Sequence, residues 1–260
     1  MSRLDQTFAS LKQSDKKALI PFVMAADPDL EATSRILPAL VEGGADIIEI
    51  GMPFSDPVAD GPTIQAAGLR ALKHDPSLDD IFNLVQKFRS ENADTPIILM
   101  GYYNPVYQYG VENFCTNAVA AGVDGVILVD LPPEEEDEFT PHTQKSGLSL
   151  IKLITPTSDA ARIETILRNA SGFVYYVAVA GITGDKSAQY DQVGQAVEKI
   201  RRQTDLPVAV GFGIKSREDV VTVQKFADAA VVGSALIKYM QDQGASANSA
   251  KAFLSKLAGL

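Results

Sequence analysis

The segment DIIEIGMPFSDPVADGPTIQ, residues 46–65, contains a complete transition from a strand to a helix. Its first five residues are typical of a buried strand, although Glu49 interrupts the apolar run. Side chains alternate along a strand, so Ile48 and Ile50 share one face and Glu49 takes the other. The turn-forming Asp-Gly pair follows, and Pro62 is a residue that can open a helix. The segment therefore predicts one βα unit with a carboxylate on its inner face.

Short apolar runs like this one recur along the chain, and segments with helical periodicity lie between them. Eight strands are predicted, at residues 19–26, 46–50, 96–102, 124–130, 148–154, 172–179, 206–212 and 228–233. Continuous apolar strands indicate that both faces of the sheet are covered. Eight βα units in 260 residues predict an α/β fold, a (β/α)8 TIM barrel, with residues 1–260 as a single domain. A doubly wound sheet is the alternative, but AADPDLE after the first strand is no nucleotide-type glycine loop.

The amino-terminal segment predicts an extra helix, because Leu4, Phe8 and Leu11 lie at helical spacing. It has no apolar core of the kind that a signal peptide needs, and no stretch is long enough to span a membrane. The formal net charge of −10 disfavours binding to nucleic acid or to an anionic membrane. These features favour a cytoplasmic protein that binds a small molecule.

Cysteine and histidine are scarce, which limits the possible chemistry. Cys115 is the only cysteine, so no internal disulfide can form and a reducing compartment is expected. The two histidines, His74 and His142, lie far apart in polar segments. We therefore expect no metal site and no Ser-His triad.

Two acidic residues, Glu49 and Asp60, are candidate catalytic groups. Glu49 should point into the barrel near its carboxyl-terminal mouth, where barrel enzymes place their active sites. The alternative for Glu49 is a structural carboxylate paired with a neighbour such as Lys152. Asp60 lies on the loop above the same strand, where a turn or capping role is the alternative. Together the two carboxylates could flank one ligand.

Glycine-rich loops after the last two predicted strands indicate a phosphate site. GFG ends at Gly213, and VVGS carries Gly233 and Ser234 into a helix. Backbone N–H groups of such loops bind phosphate, helped by the helix amino terminus. Simple turn geometry is the alternative for either loop alone. AGITGDKSAQ, residues 180–189, has the composition of a movable lid, although a plain flexible loop would look the same.

Lys152 lies inside the fifth apolar run, LSLIKLI. A lysine within a barrel could form a Schiff base with a carbonyl substrate. The favoured interpretation is a side chain that extends outward between the helices. A class I aldolase or a sugar-phosphate isomerase would need the first orientation.

The segment IIEIGMPFSDPVADGPTIQ resembles the signature of tryptophan synthase α chains, and the similarity extends through IPFVMAADPD, LMGYYNPVYQYG, GVILVDLPPEE, YYVAVAGITG and VAVGFGI. The resemblance covers nearly the whole chain in order. It implies a lyase of tryptophan biosynthesis that cleaves indole-3-glycerol phosphate into indole and glyceraldehyde 3-phosphate. It also implies no cofactor in this chain and an α₂β₂ assembly with a β chain that carries pyridoxal phosphate.

The resemblance further implies roles for individual residues. Glu49 would be the acid–base group at indole C3, Asp60 would bind the indole N–H, and Tyr175 and Thr183 would support Asp60. The indole pocket would include Phe22, Ile64, Met100, Tyr102, Ile127, Val129, Leu153 and Phe212. The phosphate site would include Gly184, Gly213, Gly233 and Ser234. The surface that meets the β chain would include Asp56, Asn104 and Pro132.

Two positions depart from the family pattern, and the first is Lys152, where many members have an apolar residue. Many members carry an arginine just before the lid, where this chain has Val179. Lid closure is therefore expected to use other contacts here. A non-catalytic regulatory subunit with the same ligand site is the second alternative to the lyase.

Overall fold

The strands are all parallel and form a barrel, which confirms the predicted (β/α)8 architecture. This computed structural model describes residues 1–178 and 186–260 of the chain. The strands are β1 Ala18–Met24, β2 Ile48–Gly51, β3 Ile97–Gly101, β4 Gly125–Leu128, β5 Ser149–Leu150, β6 Lys152–Ile154, β7 Val174–Val177, β8 Val208–Gly211 and β9 Ala229–Val232.

The fifth predicted strand is divided into β5 and β6, which explains why nine strands replace the expected eight. β5 pairs with β4, whereas β6 pairs with β7 on the other side. The division falls at Ile151, whose N–H still donates to the Val126 carbonyl at 3.0 Å. One continuous segment thus changes its neighbour along its length and closes the barrel.

Helices surround the barrel and follow the strands in chain order. They are α1 Arg3–Gln13, α2 Leu30–Glu42, α3 Pro62–Ala71, α4 Leu78–Arg89, α5 Tyr103–Tyr109, α6 Val111–Ala121, α7 Thr140–Ser146, α8 Ala160–Leu167, α9 Lys186–Arg201, α10 Arg217–Gln224, α11 Ser234–Asp242 and α12 Ala247–Ala258, with 3-10 helices at Leu72–His74 and Pro133–Glu138. Within the described part of the chain, no helix combines the length and the apolar character that a membrane crossing needs.

The predicted extra amino-terminal helix is α1, and it closes the amino-terminal end of the barrel. Leu4 is fully buried and belongs to the cluster of side chains that fills the barrel interior. Phe8 packs against Phe173 of the interior with ring centroids 5.8 Å apart. The helix begins with a capping box in which Ser2 and Asp5 exchange hydrogen bonds. Among the described residues, α1 therefore covers the amino-terminal end of the barrel interior.

Three aspartates link neighbouring strands at the amino-terminal end of the barrel. Each lies just before a strand, its carboxylate accepts a backbone N–H of the neighbouring strand, and its own N–H donates to the carbonyl of that same residue. The pairs are Asp46 with Leu19 at 2.8 Å, Asp124 with Ile97 at 2.8 Å and Asp228 with Val208 at 3.0 Å for the carboxylate bonds. We call these pairs the aspartate clamps.

The Asp124 carboxylate of this clamp also forms ion pairs with two arginines. Arg89 donates to Asp124 at 2.7 Å and Arg3 donates at 2.9 Å, and the Asp124 side chain is only 4% exposed. We expect Asp124→Ala to lower the free energy of unfolding by about 3 kcal/mol, because it leaves the Ile97 N–H without its acceptor and the buried Arg89 guanidinium without its carboxylate partner. Urea denaturation at neutral pH measures the change. Asp205→Ala, at an exposed aspartate, is the control and should change stability by less than about 0.5 kcal/mol. Equal effects in the two variants would contradict the clamp.

Candidate active site

A cavity of about 250 Å³ opens at the carboxyl-terminal mouth of the barrel. It is lined by strand ends and by the loops that follow them: Phe22, Glu49, Ala59, Asp60, Gly61, Ile64, Met100, Tyr175, Val177, Gly211, Phe212, Gly213, Ile214, Lys215, Val231, Gly233, Ser234 and Ala235. A hollow of about 740 Å³ lies at the opposite end, beside α1. We place the site in the smaller cavity, which contains the buried acid and the glycine loops; we call it the mouth cavity.

Glu49 lies inside the barrel, as its position in the strand predicts. It is paired in register with Phe22 on one side and Ile98 on the other, and its side chain is 2% exposed. No hydrogen bond or ion pair joins its carboxylate to another residue that the structure describes. Burial, followed by the nearby charge of Asp60, raises the pKa of Glu49 to about 8. At neutral pH this residue is therefore mainly a carboxylic acid that can donate a proton.

Asp60 reaches the same cavity from the loop after β2. It is half-buried, and burial raises its pKa, whereas a hydrogen bond from the Tyr102 hydroxyl lowers it. The same hydroxyl accepts the N–H of Ala59 at 3.0 Å. Tyr102 is 3% exposed and packs against Phe54, with ring centroids 5.2 Å apart. A buried aromatic residue on the next strand thus holds the loop that presents Asp60.

Tyr175 faces the barrel interior from β7 and lies close to Gly211. A Cβ atom at Gly211 would lie 2.5 Å from the Tyr175 hydroxyl, so the glycine provides the space for the tyrosine. Burial, followed by the charge of Glu49, raises the pKa of Tyr175 well above its ordinary value. Tyr175 therefore enters the cavity as a neutral hydroxyl close to the buried acid.

Backbone donors converge on the other side of the cavity. Gly213 has a φ of +50°, a left-handed conformation that favours glycine. Gly233 precedes α11, and no side chain caps that helix, so the N–H groups of its first turn, from Ser234 onward, remain available. A helix of nine residues with an uncapped start attracts an anion to this position.

The structure brings most of the predicted site residues to this cavity. Those that line it are Phe22, Glu49, Asp60, Ile64, Met100, Tyr175, Phe212, Gly213, Gly233 and Ser234. Tyr102 does not line it and instead supports the loop of Asp60. Ile127, Val129 and Leu153 belong to the barrel interior together with Met100. Thr183, Gly184 and Val179 lie outside the described residues, so their roles stay predictions.

The three residues predicted to meet a β chain follow consecutive strands at the same end of the barrel. Asp56 follows β2, Asn104 opens α5 after β3, and Pro132 follows β4. Asp56 and Asn104 are exposed, and Pro132 is partly exposed. The Tyr103 N–H donates to the Asp130 carboxylate at 2.8 Å and links two of these loops.

Sequence reasoning missed several residues that line the mouth cavity. Val177 and Val231 follow from the alternation of side chains, because each is two positions from a predicted site residue. Gly211 belongs to the GFG loop, whose sequence gives no sign that it makes room for Tyr175. Lys215 carries no periodic signal, because the loop after β8 has no fixed alternation.

The structure contradicts both roles considered for Lys152 inside the barrel, an ion pair with Glu49 and a Schiff base with a substrate. Lys152 is paired in register with Val174 on the outer face of the strands, whereas its neighbour Leu153 faces inward with Tyr175. Its ammonium forms an ion pair with the buried carboxylate of Glu136, which also accepts from Asn169 at 2.7 Å. Lys152 therefore neither pairs with Glu49 nor reaches a substrate as a Schiff-base lysine. The favoured outward orientation is correct, but the side chain ends in a buried ion pair rather than in solvent.

Comparison with known proteins agrees with the family resemblance seen in the sequence. The family model for the tryptophan synthase alpha chain matches residues 8–259. The chain belongs to the tryptophan synthase alpha chain family. The tryptophan synthase subunit alpha from Legionella pneumophila str. Paris is 42% identical, with a TM-score of 0.92 and coverage of 100% of this chain and 98% of that chain.

Two further structures show how widely the similarity extends. A chain of tryptophan synthase from M. tuberculosis is 32% identical, with a TM-score of 0.90 and coverage of 100% and 98%. A chain of the tryptophan synthase complex from Pyrococcus furiosus is 40% identical, with a TM-score of 0.85 and coverage of 94% and 98%. This family member is thus a carbon–carbon lyase that cleaves indole-3-glycerol phosphate in tryptophan biosynthesis, and the alternatives of an aldolase and of a non-catalytic subunit are set aside.

The raised pKa of Glu49 predicts a dependence of stability on pH. An unfolded glutamate loses its proton near pH 4.5, but the folded one keeps it to about pH 8. Between these values a rise in pH therefore favours the unfolded state, and Glu49→Gln removes this effect. We expect the stability of Glu49→Gln relative to the unchanged protein to rise by up to about 4 kcal/mol from pH 5 to pH 9.

Urea unfolding at a series of pH values measures this difference. Glu91→Gln, at an exposed glutamate, is the control, and its stability relative to the unchanged protein should stay constant over the same range. A Glu49→Gln variant that follows the pH dependence of the unchanged protein would show that Glu49 ionises normally in the fold.

Proposed function

We propose that Glu49 and Asp60 divide the acid–base work of cleaving indole-3-glycerol phosphate. The observation that carries the proposal is an unpaired, buried carboxyl group with a pKa of about 8, in a cavity that also presents glycine-rich anion donors. Two acids in different environments can hold different protonation states at one pH. Residues 1–260 act in this proposal as one catalytic domain.

The reaction is a retro-aldol cleavage of the C3–C3′ bond. The Glu49 acid donates its proton to indole C3, which converts the ring into a leaving group. The Asp60 carboxylate accepts a hydrogen bond from the indole N–H as positive charge develops on that nitrogen. The C3–C3′ bond then breaks, and its electrons return to the ring. The C3′ hydroxyl becomes the aldehyde carbonyl and gives its proton to the Glu49 carboxylate, which restores the acid.

The cavity suggests how the substrate lies. Phe22, Ile64 and Met100 offer an apolar wall beside Glu49 for the indole ring. Phe212 lies toward the glycine loops, where Gly213, Gly233 and Ser234 would hold the phosphate through their N–H groups. Ile127, Val129 and Leu153 would complete the indole pocket from below. Tyr175 and Thr183 would support Asp60, and Gly184 would contribute to the phosphate site.

The partner in this proposal is a tryptophan synthase β chain. The support is family membership and the relative from Pyrococcus furiosus, which belongs to a tryptophan synthase complex. Asp56 lies on the loop that also brings Ala59 and Asp60 to the mouth cavity, and Asn104 and Pro132 follow the next two strands at the same end of the barrel, so a partner bound there could receive indole directly. The assembly would be α₂β₂ and cytoplasmic, with pyridoxal phosphate in the β chain and no cofactor or metal in this chain. Across residues 1–178 and 186–260, no group of three or more metal-ligating side chains is present.

The acid–base assignment can be tested with isosteric variants. Glu49→Gln cannot donate the proton, and we expect cleavage to fall by at least about 100-fold. Asp60→Asn removes the charge that stabilises the indole nitrogen and should also lower kcat strongly. Indole release is followed by absorbance, and binding of a non-cleavable indole alkyl phosphate is measured by calorimetry. Retained binding with lost turnover supports the assignment, whereas near-normal turnover by Glu49→Gln would overturn it.

The partner surface can be tested by a charge placed on the proposed contact. Asn104→Arg introduces a large cation on the exposed start of α5, and we expect the affinity for a β chain to fall by at least about 10-fold. Gel filtration and calorimetry with the cognate β chain measure the complex. Asp205→Arg, at the opposite end of the barrel, is the control and should bind as the unchanged chain does. The surface is misassigned if both variants bind equally well.

A further inference from the structure

Lys215 is a basic residue on the wall of the mouth cavity. It lies on the loop between β8 and α10, two residues after Gly213. Its side chain is exposed, and within the described part of the chain its ammonium has no ion-pair partner. Among the described residues that line this cavity, Lys215 is the only basic one.

The backbone at Lys215 is firmly held, although its side chain is unpaired. The N–H groups of Lys215 and Ser216 donate to the Asp219 carboxylate at 2.9 and 3.1 Å. Asp219 is 3% exposed and also accepts from the Tyr190 hydroxyl at 2.9 Å. The Tyr190 ring packs against Phe212 of the cavity wall, with centroids 5.2 Å apart. This network fixes the position of Lys215 relative to the cavity.

A local positive charge would strengthen the binding of a phosphate ester in this cavity. The chain has a net charge of −10, so its overall field opposes an approaching dianion. The backbone donors at Gly213, Gly233 and Ser234 supply partial charges only. A lysine ammonium is a compact full charge that commonly binds phosphate, and the Asp219 carboxylate is already occupied by backbone N–H groups and a tyrosine.

We propose that the Lys215 ammonium binds the substrate phosphate directly and selects phosphorylated indole substrates over their unphosphorylated alcohols. The inference rests on the proposed function, because it assumes that the phosphate lies at the glycine loops. Lys215 acts there as a binding residue: it lowers KM through an ion pair that is made equally in the ground state and in the transition state. It also holds glyceraldehyde 3-phosphate after the bond breaks, whereas indole has no contact with it.

Steady-state kinetics of Lys215→Ala test this role. At low ionic strength we expect KM for indole-3-glycerol phosphate to rise about 10-fold, with kcat changed by less than about threefold. The difference should shrink as salt is raised, because counterions screen an exposed ion pair. Lys215→Arg should restore most of the lost affinity, and Lys215→Glu should bind more weakly than Lys215→Ala. Lys225→Ala, which removes an exposed lysine at the other end of α10, is the matched control and should leave KM unchanged.

Calorimetry separates this inference from the proposed function. The ligands are a non-cleavable indole alkyl phosphate and the same alcohol without its phosphate. Lys215→Ala should weaken binding of the phosphate about 10-fold and leave binding of the alcohol unchanged. Equal loss for both ligands, or an effect on KM that does not depend on salt, would overturn the role of Lys215. An unchanged protein that neither cleaves the substrate nor binds its phosphate analogue would instead overturn the proposed function.

Discussion

The aspartate clamps fix the register on which the site depends. A one-residue slip between parallel strands would move every side chain to the opposite face. Asp46 binds Leu19 at the start of the β1–β2 pair, and three residues later Glu49 lies opposite Phe22 inside the barrel. The clamp lies at the closed end of the barrel, whereas the acid lies at the open end. The bonds that stabilise the strand pairing thus lie at one end of the strands, and the candidate catalytic acid lies at the other end.

The sequence predicts the barrel because its signals are local. Each apolar run and each amphipathic helix can be recognised alone, whereas the bonds of the aspartate clamps are seen only in the structure. The division between β5 and β6 cannot be predicted in this way. LSLIKLI is one apolar run, and it changes partners at Ile151 only because β4 and β7 approach it from opposite sides. Barrel closure is a property of the whole sheet, and no local sequence pattern predicts it.

The site residues also fall into two groups, those that the local sequence pattern predicts and those that it does not. Strand alternation places Glu49 and Tyr175 in the interior, and the family resemblance supplies their proposed roles. Loop residues have no such alternation, so sequence spacing does not predict that Lys215 lines the cavity. The resemblance places Tyr102 in the indole pocket, and the structure shows that its hydroxyl accepts the N–H of Ala59, next to Asp60. That arrangement needs a loop from one strand to fold over a side chain of the next, which sequence spacing does not reveal.

The high pKa of Glu49 also depends on the absence of a basic side chain beside it among the described residues. An ammonium inside the barrel would favour the ionised carboxylate and lower that pKa. Lys152 is the only buried lysine among the described residues, and its strand register turns it outward onto Glu136. The adjacent Leu153 takes the inward position beside Tyr175. The Lys152–Glu136 pair therefore keeps a positive charge out of the interior as well as joining a strand to the segment that follows β4. An apolar interior with one unpaired acid is costly for folding. It is also what allows a glutamate to hold a proton near neutral pH, so the same burial that weakens the fold prepares the acid for catalysis.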